Sequence, residues 1–154
     1  MIERTLVILK PATLVRGLAG EVISKFEKKG LKLVAMKMAR LTPEILSQHY
    51  AHLVDRPFYP LLVESMTAAP VILSCWEGVD AVTVVREMTG ATNGRKAAPG
   101  TIRGMYCMSG QENIIHTSDS PENAVIELDR FFVVSDYCPW DSPLARSINS
   151  PDEL

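Results

Sequence analysis

Two short stretches limit the folds open to this chain. Thr5-Leu6-Val7-Ile8-Leu9 and Pro70-Val71-Ile72-Leu73-Ser74-Cys75-Trp76 are apolar runs with no polar alternation. A strand with one wet face alternates, so each run reads as a strand covered on both faces, and the second as central. Leu31 to Ala39 does alternate, with Val34, Met36 and Met38 on one side, and predicts another strand. Between the first two strands, Leu18, Val22 and Phe26 share one helical face beside Ala19 and Ile23, and Gly30 ends that helix where left-handed backbone is commonly needed. Thr42-Pro43-Glu44 is a helix start, and Asp55-Arg56-Pro57 opens a second helix with Phe58, Leu62 and Met66 in register. Glu77-Gly78 turns the chain into a helix carrying Val79, Val82 and Val85. A long loop, a short strand and a last helix follow. Stripped of insertions the order is βαββαβ, which predicts an α+β sandwich of ferredoxin-like type with an antiparallel sheet. It also predicts a long basic loop insertion and one domain over residues 1–154, of which about 133–154 form an irregular C-terminal tail, either mobile or packed on a neighbouring subunit.

The last strand and helix carry the chemistry. Asn113-Ile114-Ile115-His116 reads as a short apolar strand delivering a histidine to its tip, before a helix capped by Ser120 and opened by Pro121 and Glu122. In that helix Ala124, Leu128 and Phe131 mark the buried stripe, and Glu127 lies at its edge. A carboxylate there wants a partner, and His116 is the nearest along the chain. A lone histidine is ordinarily a satisfied core or turn residue. With Asn113 and Ser118 flanking it, Glu127 placed to orient it and cationic residues upstream, His116 reads instead as an oriented nucleophile.

From Gly90 to Gln111 no long periodic segment occurs, although the stretch holds Thr92, Arg95, Lys96, Thr101 and Arg103, with Arg86 at its root. A loop of this length is uncommon in a compact domain unless it works. Arginine forks and hydroxyls suit phosphate oxygens, and composition alone leaves that reading even with a merely solvated loop. Lys10, by spacing alone, is a solvated strand-end lysine, and the pattern gives Tyr50 and Phe58 no role beyond packing. A net charge of −2 argues against general nucleic-acid binding. Cys75, Cys107 and Cys138 are odd in number and show no metal spacing, which suits reduced thiols in the cytoplasm. Neither a signal peptide nor a membrane-length apolar run is visible.

Read together, Glu3-Arg4-Thr5 with Lys10-Pro11, Arg16-Gly17-Leu18, His49-Tyr50, Arg56-Pro57-Phe58, Trp76-Glu77-Gly78, Gly90-Ala91-Thr92-Asn93, Pro99-Gly100-Thr101-Ile102-Arg103-Gly104 and Asn113-Ile114-Ile115-His116 with Ser118-Asp119-Ser120 resemble the nucleoside diphosphate kinase family, over Glu3 to about Trp140. The resemblance implies transfer of the terminal phosphoryl of ATP to a nucleoside diphosphate through a phosphohistidine on His116. Glu127 would hold the ring, Ser118 would support that carboxylate, and Tyr50 would sit beside it. Lys10 and Asn113 would reach ribose hydroxyls and phosphate oxygens, Arg86, Thr92 and Arg103 would grip phosphates, and Phe58 and Leu62 would meet the base. Mg2+ would ride on the nucleotide, with no dedicated protein ligands. A homo-oligomer is implied, a hexamer in preference to a tetramer, with no membrane or nucleic-acid partner. A nucleotide-binding regulatory protein with little turnover is the alternative.

The chain departs from the family's pattern in its loop. Gly94 stands where proline is usual, which predicts a less rigid segment. Met105 replaces an acidic residue, Gly110 a valine over the base, and Gln111-Glu112 a Gly-Arg pair. These bear on base clamping and subunit contacts rather than on phosphoryl transfer.

Overall fold

In the computed structural model, which describes residues 1–154, the chain runs β1 (Ile2–Leu9), α1 (Pro11–Val15), α2 (Ala19–Lys29), β2 (Lys32–Ala39), α3 (Pro43–His49), α4 (Tyr59–Thr67), β3 (Val71–Val79), α5 (Ala81–Thr89), α6 (Ile102–Tyr106), β4 (Ile115–Thr117), α7 (Pro121–Phe131) and α8 (Ala145–Ile148). The strands form one sheet of order β2-β3-β1-β4, and each neighbouring pair is antiparallel. The two runs without alternation, β1 and β3, are the central strands and pair along the whole of β1, Ile2 with Val79 through Leu9 with Ile72. On one face Leu6, Ile8 and Leu73 pack with Leu46, Met66, Leu128 and Phe131 from α3, α4 and α7. On the other, Val7, Leu9 and Trp76 pack with Val22, Phe26, Val85 and Ile102 from α2, α5 and α6. Burial on both sides is why Leu6 to Leu9 and Val71 to Leu73 show no polar alternation, with Thr5 and Ser74 the buried polar exceptions and Glu3, Arg4 and Glu77 kept to the less buried ends of the strands.

Local signals act where the sequence places them. The Thr42 hydroxyl accepts from the Ile45 N–H at 3.3 Å and the Ser120 hydroxyl from the Asn123 N–H at 3.1 Å, with proline at the first position of each helix. Gly30 ends α2 at φ 105°, and a Cβ there would lie 2.5 Å from the Ile148 side chain.

Five expectations are corrected. The alternation of β2 breaks at a bulge between Leu33 and Ala35, so Val34 and Ala35 both enter the core while Met36 and Met38 turn outward. β3 runs on through Glu77-Gly78 to Val79, because Glu77 accepts from Arg4 at 2.8 Å and Lys32 at 2.6 Å on the flanking strands. The turn comes at Asp80, φ 49°, and the helix starts at Ala81. Phe58 precedes α4 and stays 39% exposed, outside the stripe of Leu62 and Met66. His116 lies in the middle of β4, paired with Ile8, rather than at its tip. The tail folds against its own chain: the Cys138 N–H donates to the Val34 carbonyl at 2.8 Å and the Trp140 indole to the Leu33 carbonyl at 2.9 Å. Besides these corrections, α1 and α6 are helices of five residues each, too short for periodicity to reveal.

Candidate active site

One bond organises the site. Pairing of β4 with β1 fixes the backbone of His116, and α7 starts after three intervening residues, which returns Glu127 to the imidazole. The His116 Nε2 lies 2.6 Å from Glu127 Oε2. Nδ1 makes no hydrogen bond with the protein, and the half-buried ring lines a cavity of about 840 Å3. Burial pushes the Glu127 carboxyl up, but His116, Ser118 and His49 together hold it below its ordinary value. It is therefore an anion at neutral pH, able to fix the ring with hydrogen on Nε2 and to steady positive charge on it. Glu127 Oε1 is buried without a partner. The Ser118 hydroxyl, fully buried, accepts from the Leu6 N–H at 3.2 Å and so keeps its own hydrogen for another group.

Every predicted site residue except Ser118 lines this one cavity. Lys10 at the end of β1 is 7% exposed, and its Nζ donates to Asn113 Oδ1 at 2.7 Å. Burial first, and then the Arg103 charge, bring its pKa down to about 8. The Asn113 amide donates to the Gly110 carbonyl at 2.8 Å and the Thr92 carbonyl at 3.2 Å, tying Lys10 to the loop. Arg103 is held by three backbone carbonyls: Nε to Asn113 at 3.3 Å, Nη1 to Gly90 at 3.1 Å and Nη2 to Ile115 at 2.5 Å. Arg86 and Thr92 are exposed at the cavity, and no protein group engages the Arg86 side chain. Leu62 is buried, Phe58 exposed, and both contribute to the wall. Tyr50 sits edge-on to His116 with ring centroids 6.1 Å apart, and burial raises its hydroxyl pKa.

The loop is tighter than its glycines predict. Gly94 is buried, its N–H donates to the Ser109 carbonyl at 3.0 Å, and a Cβ would fall 2.3 Å from the Cys107 carbonyl oxygen. Proline there would lack that donor, so the departure from the family's proline accompanies a different anchor, not a looser loop. The N–H groups of Gln111 and Glu112 both donate to the Ser109 hydroxyl at 3.1 Å.

Two residues of the site lacked a strong signal in the sequence. His49 lies at the end of α3, its ring 4.4 Å from His116 between centroids, and Arg130 stands one turn beyond Glu127 on α7 with Nη1 2.9 Å from His49 Nδ1. Position next to Tyr50, and three residues past Glu127 on one helix face, were the available clues.

Lys10, Arg86, Arg103 and Arg130 line the cavity against only Asp119 and Glu127 in a chain of net charge −2, which concentrates positive charge where a polyphosphate could enter. His49, His116 and Glu127 place two nitrogens and one oxygen within 4.8 Å of one another. That is a poor match for Mg2+, which prefers oxygen ligands and retains waters. No helix is long and apolar enough to cross a membrane.

A sequence model of nucleoside diphosphate kinase matches residues 3–137. The chain is 57% identical to a nucleoside diphosphate kinase of Parabacteroides distasonis over 152 residues, 99% of each chain. It is 50% identical to one of Rhodopirellula baltica over 98% of this chain and 99% of the relative. Its fold superposes with a TM-score of 0.93, at 39% identity, on a halophilic nucleoside diphosphate kinase of Halobacterium salinarum in complex with CDP, covering 97% of this chain and 99% of that one.

Proposed function

The chain belongs to the nucleoside diphosphate kinase family, a family of nucleotide-binding phosphotransferases, and on that premise we propose a ping-pong cycle through a phosphohistidine on His116 that maintains nucleoside triphosphate pools. The observation that carries the reading is the division of labour in one ring: Nε2 engages Glu127 while Nδ1 is uncommitted beside a cation-rich cavity.

In the first half-reaction the Nδ1 lone pair attacks the terminal phosphorus of ATP. The bond from that phosphorus to the bridging oxygen breaks, and ADP leaves with the electron pair. Positive charge grows on the imidazole and is offset by Glu127. Negative charge on the equatorial oxygens and the departing phosphate meets Arg86, Arg103, Lys10 and Thr92. In the second half-reaction a terminal oxygen of a nucleoside diphosphate attacks the phosphohistidine, the N–P bond breaks, and Nδ1 regains its lone pair. Phe58 and Leu62 present an apolar wall to the base, and Tyr50 and Ser118 hold the His116–Glu127 pair in place.

Bound Mg2+ would neutralise phosphate charge. It would ride on the nucleotide, since Glu127 is committed to His116 and Asp119 accepts from Asn123 at 2.6 Å. We read residues 1–154 as one catalytic domain in the cytoplasm, assembled as a homo-oligomer and a hexamer in preference to a tetramer. The edge strand β2 supports association, with Met36 41% and Met38 63% exposed. Light scattering that found only monomer would remove the assembly.

The direct test is brief incubation with γ-labelled ATP and Mg2+. Acid-labile label should reach the wild type, be discharged by GDP, and be missing from His116→Ala. A folded, nucleotide-binding wild type that never takes label would favour a regulatory nucleotide binder instead.

A further inference from the structure

We propose that Arg130 and His49 are a positioning pair: Arg130 selects the tautomer of the buried His49 ring so that its N–H faces Glu127 and keeps that carboxylate seated against His116. The inference rests on the phosphohistidine reading but stands on its own contacts.

Arg130 can only donate hydrogen bonds, and its Nη1 lies 2.9 Å from His49 Nδ1. Nδ1 is therefore the bare acceptor, and the single hydrogen of the neutral ring is on Nε2. That Nε2 has no hydrogen-bond partner, although the His49 side chain is 0% exposed. It faces Glu127 Oε2 at 3.6 Å, the same oxygen that His116 Nε2 meets at 2.6 Å. One carboxylate oxygen thus lies before two imidazole N–H groups, one in a short bond and one just outside bonding distance.

The ring is locked in place. It meets Tyr50 edge-on at 4.7 Å between centroids, His116 at 4.4 Å and Phe131 at 5.1 Å. Four titratable or charged groups act on it: His116, Glu127, Arg130 and His52. Burial foremost, with His116, Arg130 and His52 acting in the same direction and Glu127 against it, holds its pKa down to about 3. The ring is neutral while the enzyme works, so the tautomer decides what Glu127 sees. With hydrogen on Nε2, the carboxylate meets the positive end of an N–H dipole. With hydrogen on Nδ1, it would meet a lone pair and be pushed off the line to His116. Among the groups around the ring, Arg130 is the one that engages Nδ1, and it can only donate.

The test uses the full-length enzyme and two readouts. Long-range 15N–1H spectra should show His49 as the Nε2–H tautomer in the wild type and in Arg130→Lys, and a shift toward Nδ1–H in Arg130→Met. Rapid-quench labelling of His116 at saturating ATP and Mg2+ should slow about tenfold in Arg130→Met, the scale on which removal of a ring-orienting partner acts, and recover in Arg130→Lys. An Nδ1–H tautomer in the wild type would overturn the proposal, and that measurement needs no variant to fold. So would wild-type labelling rates in Arg130→Met, or a loss confined to ATP affinity, which would make Arg130 a phosphate contact. A wild type that shows the Nε2–H tautomer but takes no label on His116 would instead sink the phosphohistidine reading.

Discussion

Arg103 and Arg86 are assigned the same chemistry but sit in opposite physical circumstances, and replacing each by alanine should separate folding from catalysis. Arg103 is 9% exposed and bonds three carbonyls, those of Gly90, Asn113 and Ile115. Alanine leaves the Gly90 and Ile115 carbonyls facing a void, while the Asn113 carbonyl keeps the Ile115 N–H at 2.8 Å. A bond to a charged donor contributes about 1.5–3 kcal/mol and an unmet buried acceptor costs about 1–3. Allowing for the long 3.3 Å contact, Arg103→Ala should lose about 3–6 kcal/mol. Against total stabilities of about 5–15 kcal/mol that is severe, and for a chain of this size it corresponds to a fall in melting temperature of about 10–20 °C. Arg86 is exposed with no protein partner, so Arg86→Ala should melt close to the wild type while phosphoryl transfer falls about 100-fold, as when one preorganised donor to a charged transition state is removed. Calorimetry at one protein concentration without nucleotide, paired with the labelling assay, reads both quantities. Equal melting temperatures for wild type and Arg103→Ala, or a large fall in Arg86→Ala, would refute the reasoning.

Gly94→Pro should destabilise by about 2–5 kcal/mol in urea titrations, through the lost bond to Ser109 and the collision at Cys107; an unchanged midpoint would show that the loop can reach the family's proline conformation. Lys10, brought from 10.5 down to about 8, should lose its proton in the free enzyme as pH rises past that value, raising KM for ATP. Because the unfolded chain still binds that proton up to 10.5, the Lys10 contribution to stability grows over the same window, so affinity and stability should move in opposite directions, with Lys10→Met flattening both. His49, down to about 3 from 6.5, stays neutral in the fold while the unfolded chain protonates below 6.5; wild-type stability should therefore fall with pH between those values more steeply than that of His49→Phe, measured by denaturant midpoints, and parallel slopes would contradict the buried neutral ring.

The parts of this fold that the sequence revealed are those governed by local rules. Ser120 and Thr42 cap helices from one residue's chemistry, and the unbroken runs in β1 and β3 announce burial on both faces. The bulge at Val34 was hidden because it depends on which residues of β3 lie opposite, and strand patterns are read one strand at a time. β3 likewise continues through Glu77-Gly78 because of Arg4 and Lys32, whose proximity is tertiary. In the site, His116 and Glu127 were connected by spacing, and the family resemblance supplied the rest. His49 and Arg130 escaped because each alone looks ordinary, a helix-end histidine and an arginine in the last turn of α7. Their pairing spans 81 residues and exists only in the folded chain.

The register of β4 against β1 also fixes when, during synthesis, this chain becomes able to handle a nucleotide. His116 and Glu127 are only 11 positions apart, but Lys10 and Asn113 are separated by 103 and Leu6 and Ser118 by 112. Closing loops of that length is slow and comes late. Until residues 115–117 have left the ribosome and paired with residues 7–9, one edge of β1 is open and the lysine at its end has no asparagine to hold it. A chain stalled in its last quarter would therefore present an unpaired apolar strand rather than a weak kinase, a hazard that ends when the histidine strand docks.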